Sequence, residues 1–314
     1  MNLQQLRYLR ETVRRDLNLT AAALALHTSQ PGLSKAIREL EDELGITIFV
    51  RHGKRLTHLT DAGRAVIAIV ERIMLEIDNL KRSSSDWHHA QVGELRIAAT
   101  HTQARYSLPP AIAKLRADYP EVTVRLHQGS PSQIVAMLRL GQVDLGIATE
   151  AIGQQADLDF EDLFSWYHCA VALPSHPLCQ LAKVSLQALA EHDLITYDPQ
   201  FAGRGHIDRA FNEHCLKPRI VLEATDSDVI KTYVRLGLGV GIVAEIAMRE
   251  EGQGGDLVAR PLGHLFGENV ARIAFKRGAY LRNFVYAFAE MTSDRLSRPL
   301  VERAMAGDAA DYQL

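Results

Sequence analysis

The segment from Asn18 to Gly45 constrains this chain most. Asn18 and Thr20 offer capping side chains to a short alanine-rich helix, AAALALH, which breaks at Thr28 and Ser29. A second helix begins near Gln30, tolerates Pro31 in its first turn, and runs through GLSKAIRELEDELG to Gly45, a natural C-terminal stop. Two short helices joined by a tight turn form a helix-turn-helix, whose second helix is shaped to enter a major groove. Its inward positions are Leu33, Ile37 and Leu40, and the polar face expected from the same periodicity carries Ser29, Gln30, Ser34, Lys35 and Arg38. A preceding helix over residues 3–15 places Leu3, Leu6, Leu9 and Val13 on one side and Arg7, Arg10, Arg14 and Arg15 on the other. After Gly45, ITIFVRHGKRLTHLT reads as strand, basic turn and strand, completing a winged unit over residues 1–59.

The next segment is a different kind of structure. From Thr60 to about Arg82, Ala65, Ile69, Ile73, Ile77 and Leu80 lie near one side of a long helix. Such a stripe is compatible with a core helix. Its place between two unlike halves favours a linker that pairs with its copy in a second subunit. The polar run SSSDWHHAQ, residues 83–91, then reads as a hinge, giving a linker region of 60–92.

Beyond Gly93 strands and helices alternate. GELRIAAT, VTVRLHQ, VDLGIAT, HCAVAL, DLITY, RIVLEA and GVGIVA are strand candidates, with helical patterns at about 107–118, 131–140, 203–214 and 227–237. This predicts α/β architecture with mainly parallel sheets in two lobes, the first about 93–164 and 266–298, the second about 165–265. The return to the first lobe is made by VARIAFKRG and a helix at about 281–295, and residues 299–314 read as a loosely held tail.

Charge supports this division. Residues 1–60 hold nine Lys/Arg against six Asp/Glu, which leaves 26 against 32 for the remainder and concentrates positive charge at the end expected to meet phosphates. No run of 18 apolar residues occurs, and the opening MNLQQLRYLRE lacks a signal-peptide core, so a cytoplasmic protein with no membrane partner is expected. Cys169, Cys179 and Cys215 have neither disulfide-framework nor zinc-ligand spacing.

The chemistry follows from position. Ser29 and Gln30, at the exposed start of the second helix, suit base edges, whereas Lys35 and Arg38 suit phosphate or guanine. Arg51, Lys54 and Arg55 around Gly53 make a basic wing tip suited to phosphate or a minor groove. In the second half, Thr100 and Thr149 close two strands, and the carboxyl ends of strands in open α/β sheets are where ligands collect. With Thr102 and Gln103 they supply uncharged donors that can bind a small anion and still release it. Enzymatic readings are weaker. His168 and Cys169 are adjacent on a strand and face opposite ways, and His88-His89 falls in the hinge. Gly237, Gly239 and Gly241 precede a strand, so they suit a tight turn better than a dinucleotide loop. No catalytic constellation and no cofactor site is expected.

The run LNLTAAALALHTSQPGLSKAIRELEDELGITIFVR with LTHLTDAGR resembles the DNA-binding signature of LysR-type transcriptional regulators. The matching framework is Ser29-Gln30-Pro31, Ser34, Ile37, Leu40-Glu41, Leu44-Gly45, Phe49 and Arg51. The resemblance extends over about residues 1–298. Within that family the chain looks most like the CysB-like branch, through Thr100-His101-Thr102-Gln103-Ala104-Arg105-Tyr106, Gln128-Gly129-Ser130-Pro131, Asp144–Glu150, Thr196-Tyr197-Asp198 and Gly203-Arg204. This resemblance implies a regulator of sulfur acquisition and cysteine synthesis, more an activator than a repressor. Its effector, sulfate-like or acetylserine-like, would bind in a cleft lined by residues matching Thr100, Thr102, Gln103 and Thr149, with Gly129, Ser130, Ala202 and Gly203 nearby. Ala202 departs from the branch, which commonly has a threonine there, so the cleft would hold one donor fewer. The implied partners are double-stranded promoter DNA, a small anionic or amino-acid-like effector, other copies of the chain as dimer and tetramer, and RNA polymerase. A solute-binding protein would share the two-lobed half, but a basic winged helix-turn-helix opposes that reading.

Overall fold

The helices of the first half start where short polar side chains can satisfy free amides. In the computed structural model, which describes residues 1–306 except Lys54, 89–90, 150–151, 153–154, 156, Ala202 and 252–254, α1 (Leu3–Arg14) opens on a capping box between Asn2 and Gln5. Asn18 caps α2 (Leu19–Ala25), and Ser29 caps α3 (Gln30–Leu44), accepting from the Gly32 amide at 3.2 Å. Gly45, at φ +66°, ends α3 in the left-handed region. The wing is the antiparallel pair β1 (Phe49–His52) and β2 (Arg55–Leu59).

The chain divides into two compact units, residues 1–84 and 85–314. In the first, Leu6, Leu9, Ala22, Leu33, Ile37, Leu40, Ile48 and Phe49 form one core. Val70 and Met74 of the long helix α4 (Asp61–His88) join it. Two arginines from the polar side of α1 are also tied to α4: Arg10 lies 3.3 Å from Asp78 and Arg14 3.0 Å from Glu71.

The hinge expected at residues 83–91 is helical as far as His88. Its serines do not break the helix because the last turn is anchored. Asp86, in the second unit, is buried and accepts from Tyr280 Oη at 3.1 Å, Arg282 Nε at 3.3 Å and the Asn283 amide at 3.3 Å.

The second unit is built on two five-stranded sheets. The chain runs β3 (Gly93–Ala99), α5 (Pro109–Asp118), β4 (Val122–Gln128), α6 (Pro131–Arg139), β5 (Leu145–Thr149) and β6 (Leu158–Trp166). It crosses to β7 (His168–Ala172), α7 (Leu186–Ala190), β8 (Asp193–Tyr197), α8 (Arg204–Glu213), β9 (Arg219–Ala224), α9 (Ser227–Arg235), β10 (Val240–Ala244), β11 (Val258–Pro261) and α10 (Gly263–Phe266). It then returns through β12 (Asn269–Lys276), α11 (Asn283–Thr292) and α12 (Arg298–Ala306). The first sheet has the order β4-β3-β5-β12-β6 and the second β11-β7-β10-β8-β9.

Both sheets are mixed, not mainly parallel. β3 pairs parallel with β4 and β5, and β8 with β9 and β10, but β12, β7 and β11 all run antiparallel to their neighbours. The returning strand and the crossing strand impose this, since each enters its sheet from the other lobe. β6 and β11 escape a search for apolar runs: LDFEDLFSW interleaves buried and exposed positions, and none of the four residues of VARP is buried. The tail expected from residue 299 is helical to Ala306 because Val301 is fully buried in the core of the second unit. Among the described residues no helix is long and apolar enough to cross a membrane.

Candidate functional site

The first unit presents a polar groove of about 860 Å³ between the turn after α1, the start of α3 and the wing. Arg15, Asn18, Thr20, Gln30, His52 and Arg55 contribute to it. Of the residues singled out on α3, Ser29, Pro31, Lys35 and Arg38 are exposed and Gln30 is half-buried. Lys35 lies 3.6 Å from Glu39, and Arg38 Nε donates to the Ser34 carbonyl at 3.3 Å.

Ser34 does not belong to the polar face. It is 7% exposed, buried with Leu33, Ile37 and Leu40 of the same helix. Arg51 is half-buried and pairs with Glu41 at 3.1 Å. The other Glu41 oxygen accepts from the Ile48 and Phe49 amides at 2.8 and 3.1 Å, so this carboxylate pins the wing to α3. Arg55 is exposed, and Lys54 lies outside the described residues. Asn18, Thr20 and His52 are groove residues not expected from the sequence; the first two registered only as helix caps.

In the second unit the carboxyl ends of β3, β4 and β5 come together. The Thr100 amide donates to the Ile147 carbonyl at 3.2 Å, and the Gly129 amide to the Ala99 carbonyl at 3.2 Å. Thr100, Thr102, Gln103, Ser130 and Thr149 are all buried. Ser130 caps α6 in a capping box with Gln133, and its hydroxyl lies 2.9 Å from that of Ser132. Thr102 and Gln103 lead into a π-helical turn, Gln103–Ser107, closed by the Leu108 amide on the Gln103 carbonyl at 3.0 Å. Thr102 lies beside the buried Tyr197, whose hydroxyl meets Ser227 Oγ at 2.6 Å and accepts from the Ala244 amide at 2.9 Å. Burial pushes that phenol up to about 12, so it stays a neutral donor.

Gly203 comes from the other lobe, as the N-cap of α8 at φ +69°. A Cβ there would stand 1.9 Å from Asn269 Oδ1, so backbone conformation and space both require glycine. Asn269 is fully buried with Nδ2 3.3 Å from His168 Nδ1. The Oδ1 of Asn269 and the hydroxyl of Thr196 are buried without a partner among the described residues. Ala202 lies outside the described residues. Asn269, Tyr197 and Ser227 were not expected here, and His168 was considered only as a nucleophile's neighbour, since these positions meet through strand crossings and not through a local motif.

Other candidates resolve as structure. Gly237 and Gly239, at φ +77° and +154°, form the turn into β10. On α8, His206 and Asp208 are two apart in sequence and engaged in different directions: His206 Nδ1 sits 3.1 Å from the Phe266 carbonyl, while Asp208 accepts from Arg204 at 2.7 Å. One group among the described residues, His101 with Asp226 and Asp228, brings ligand atoms within 4.8 Å of each other. Asp226 caps α9, however, and Asp228 is engaged by Tyr106 and Lys231, so these carboxylates already have partners.

A winged helix-turn-helix followed by a two-sheet unit with polar donors at its strand ends defines a DNA-binding regulator with a ligand-sensing domain. The chain belongs to the LysR family of transcriptional regulators. Residues 3–64 match the family description "Bacterial regulatory helix-turn-helix protein, lysR family", and 88–297 match "LysR substrate binding domain". It is similar to the HTH-type transcriptional regulator CysB of Burkholderia cenocepacia, 54% identical over 100% of both chains. The HTH-type transcriptional regulator SsuR of the same organism is 46% identical over 95% of this chain and 96% of that one. Among solved structures, the cofactor-binding domain of the Cbl transcriptional regulator matches with a TM-score of 0.65 and 42% identity, over 68% of this chain and 93% of that one. A full-length OxyR variant from Pseudomonas aeruginosa shares the fold, with a TM-score of 0.70 at 23% identity over 95% of this chain and 96% of that one.

Proposed function

We propose that this regulator reads promoter DNA through α3 and the wing and controls genes of sulfur assimilation, cysteine synthesis or sulfonate use. Its signal is a small sulfur-related anion or amino-acid-like molecule held in the cleft between the two lobes. The observation that carries this reading is the convergence of buried, uncharged donors, Thr100, Thr102, Gln103, Ser130 and Thr149, at the carboxyl ends of β3, β4 and β5. Neutral hydroxyls and amides hold a small anion reversibly, as a sensor requires. Gly203 supplies the opposite wall, and the similarity to CysB and SsuR supports the choice of sulfur compounds.

On the DNA side, Ser29, Gln30 and Pro31 offer the base-reading end of α3, and Lys35, Arg38 and Arg55 meet phosphate or base edges. Arg51 acts from behind, through Glu41. The exposed Ile69 and Leu80 on α4 support pairing of this helix with its copy in a dimer, and dimers assemble into a tetramer. The protein works in the cytoplasm as an activator, in contact with RNA polymerase.

Calorimetric titration of the full chain with sulfate, thiosulfate, O-acetylserine, N-acetylserine and adenosine phosphosulfate tests the reading. Saturable binding of one of them, lost in Thr100→Ala, is the expected result. No binding by any of the five removes the sulfur signal and leaves a LysR-type regulator of another effector.

A further inference from the structure

The π-helical turn of the first lobe meets α9 of the second. Tyr106 Oη donates to Asp228 Oδ1 at 2.6 Å. Lys231, buried at 5% exposure, places Nζ 3.3 Å from the Tyr106 hydroxyl, 3.2 Å from Asp228 and 3.0 Å from the Ala247 carbonyl. Arg105 Nε and His101 Nε2 stand 3.8 and 4.0 Å from the other Asp228 oxygen. The Arg105 guanidinium and the Lys231 ammonium lie 5.4 and 5.5 Å from the centre of the Tyr106 ring. One carboxylate and one phenol thus gather three basic side chains at the junction of the lobes.

The same turn builds the effector site. Thr102 caps it and Gln103 is its first residue, and Ser107 Oγ donates to Gln103 Oε1 at 2.9 Å. Ser227, the first residue of α9, bonds to Tyr197, which lies beside Thr102. Movement of α9 away from the turn must therefore disturb the donors themselves. Insertion of a single π-helical turn at such a place is a frequent functional device.

We propose that Tyr106 and Asp228 form a latch between the lobes, which positions Thr102 and Gln103 for the effector and sets the fraction of molecules in the closed arrangement. This rests on the cleft being the effector site. Affinity for an effector bound by both lobes falls in proportion to the closed fraction, so the latch tunes sensitivity without touching the ligand. Burial and the hydrogen bond to Asp228 hold the Tyr106 hydroxyl well above its ordinary range. Burial pushes Asp228 up, and the bonds from Tyr106 and Lys231 outweigh it and keep the group ionised.

The test uses the full chain in three forms, wild type, Tyr106→Phe and Asp228→Asn, both substitutions being near-isosteric. Amide hydrogen exchange is followed at residues 103–107 and 227–235, and N-acetylserine, O-acetylserine and sulfate are titrated into each. The expected result is reciprocal: Tyr106→Phe speeds exchange in α9, Asp228→Asn speeds it in the π-helical turn, and Kd rises about tenfold in both, the size of one charge-assisted hydrogen bond. Unchanged exchange in the opposite lobe overturns the latch. Faster exchange with unchanged Kd overturns its coupling to the site. If the wild type binds none of the probes, the effector reading falls with that coupling, and cross-lobe exchange alone decides whether the latch exists.

Discussion

Glu41 and Arg51 meet at 3.1 Å between α3 and the wing, and the same carboxylate accepts from the amides of Ile48 and Phe49 where the wing begins. The Glu41 side chain is 11% exposed and that of Arg51 26%, so the pair is not fully screened by solvent. Glu41→Ala leaves two amides and a guanidinium without their acceptor. The expected cost is about 2 to 3 kcal/mol in the first unit, in line with loss of hydrogen bonds to a charged group. Denaturant unfolding followed by exchange at Ile48 and Phe49 reads it directly, and promoter affinity should fall with it. Full retention of both would show that the wing is held by packing alone.

Arg38 and Ser34 lie one turn apart on α3 but on different surfaces, one exposed and one buried. Lys35→Ala and Arg38→Ala should each weaken promoter binding and lower the slope of log K against log salt by about 1 if the lost contact is a phosphate. Ser34→Ala keeps a small side chain at a buried position and should leave both quantities near wild type. Fluorescence anisotropy titrations at several salt concentrations distinguish them. A large loss in Ser34→Ala alone would return that residue to the DNA face.

The difference between those two residues shows where sequence was informative. Caps and stops are local chemistry, so Asn18, Ser29 and Gly45 mark their helix ends legibly, as do Thr100 and Thr149 at the ends of apolar strands. Ser34 sits on the margin of the apolar stripe, where periodicity alone does not decide burial; the surrounding packing does. The helix past Ser83 and the helix at Arg298–Ala306 depend on distant anchors, Asp86 on Arg282 and Val301 in the core. The surroundings of Gly203 are harder still to read, because Asn269 and His168 are brought together from 101 residues apart by two strand crossings. No spacing rule applies at that range.

Cys169 is buried in the same core cluster as Trp166 and Tyr197, and burial pushes its thiol up to about 12. A raised pKa leaves almost no thiolate at neutral pH, and reactivity follows the thiolate. Cys215 is exposed. With a thiol reagent near neutral pH, rapid native modification should map to Cys215, slower reaction to the half-buried Cys179, and Cys169 should react only after unfolding. Fast labelling of Cys169 in the native protein would require an opening of the second sheet that its packing does not suggest.

Gly203 and Asn269 set the last prediction. Alanine at 203 must hold φ +69° and place its Cβ where Asn269 Oδ1 now lies, 1.9 Å away. The left-handed conformation costs about 1 to 2 kcal/mol for a residue with a Cβ. Displacement of Asn269 adds the loss of its 3.3 Å contact with His168 Nδ1 in a fully buried setting. Gly203→Ala should therefore lower the melting temperature and weaken binding of any effector that touches the start of α8. In Gly203→Ala with Asn269→Ala the clash with Asn269 is gone, while the backbone cost and the 3.0 Å approach to His168 Cε1 stay, so the double variant should be more stable than the sum of the single losses predicts. Thermal unfolding of the four proteins in this cycle gives the coupling. Strict additivity would mean that Asn269 moves aside freely and that only the backbone conformation requires glycine at 203.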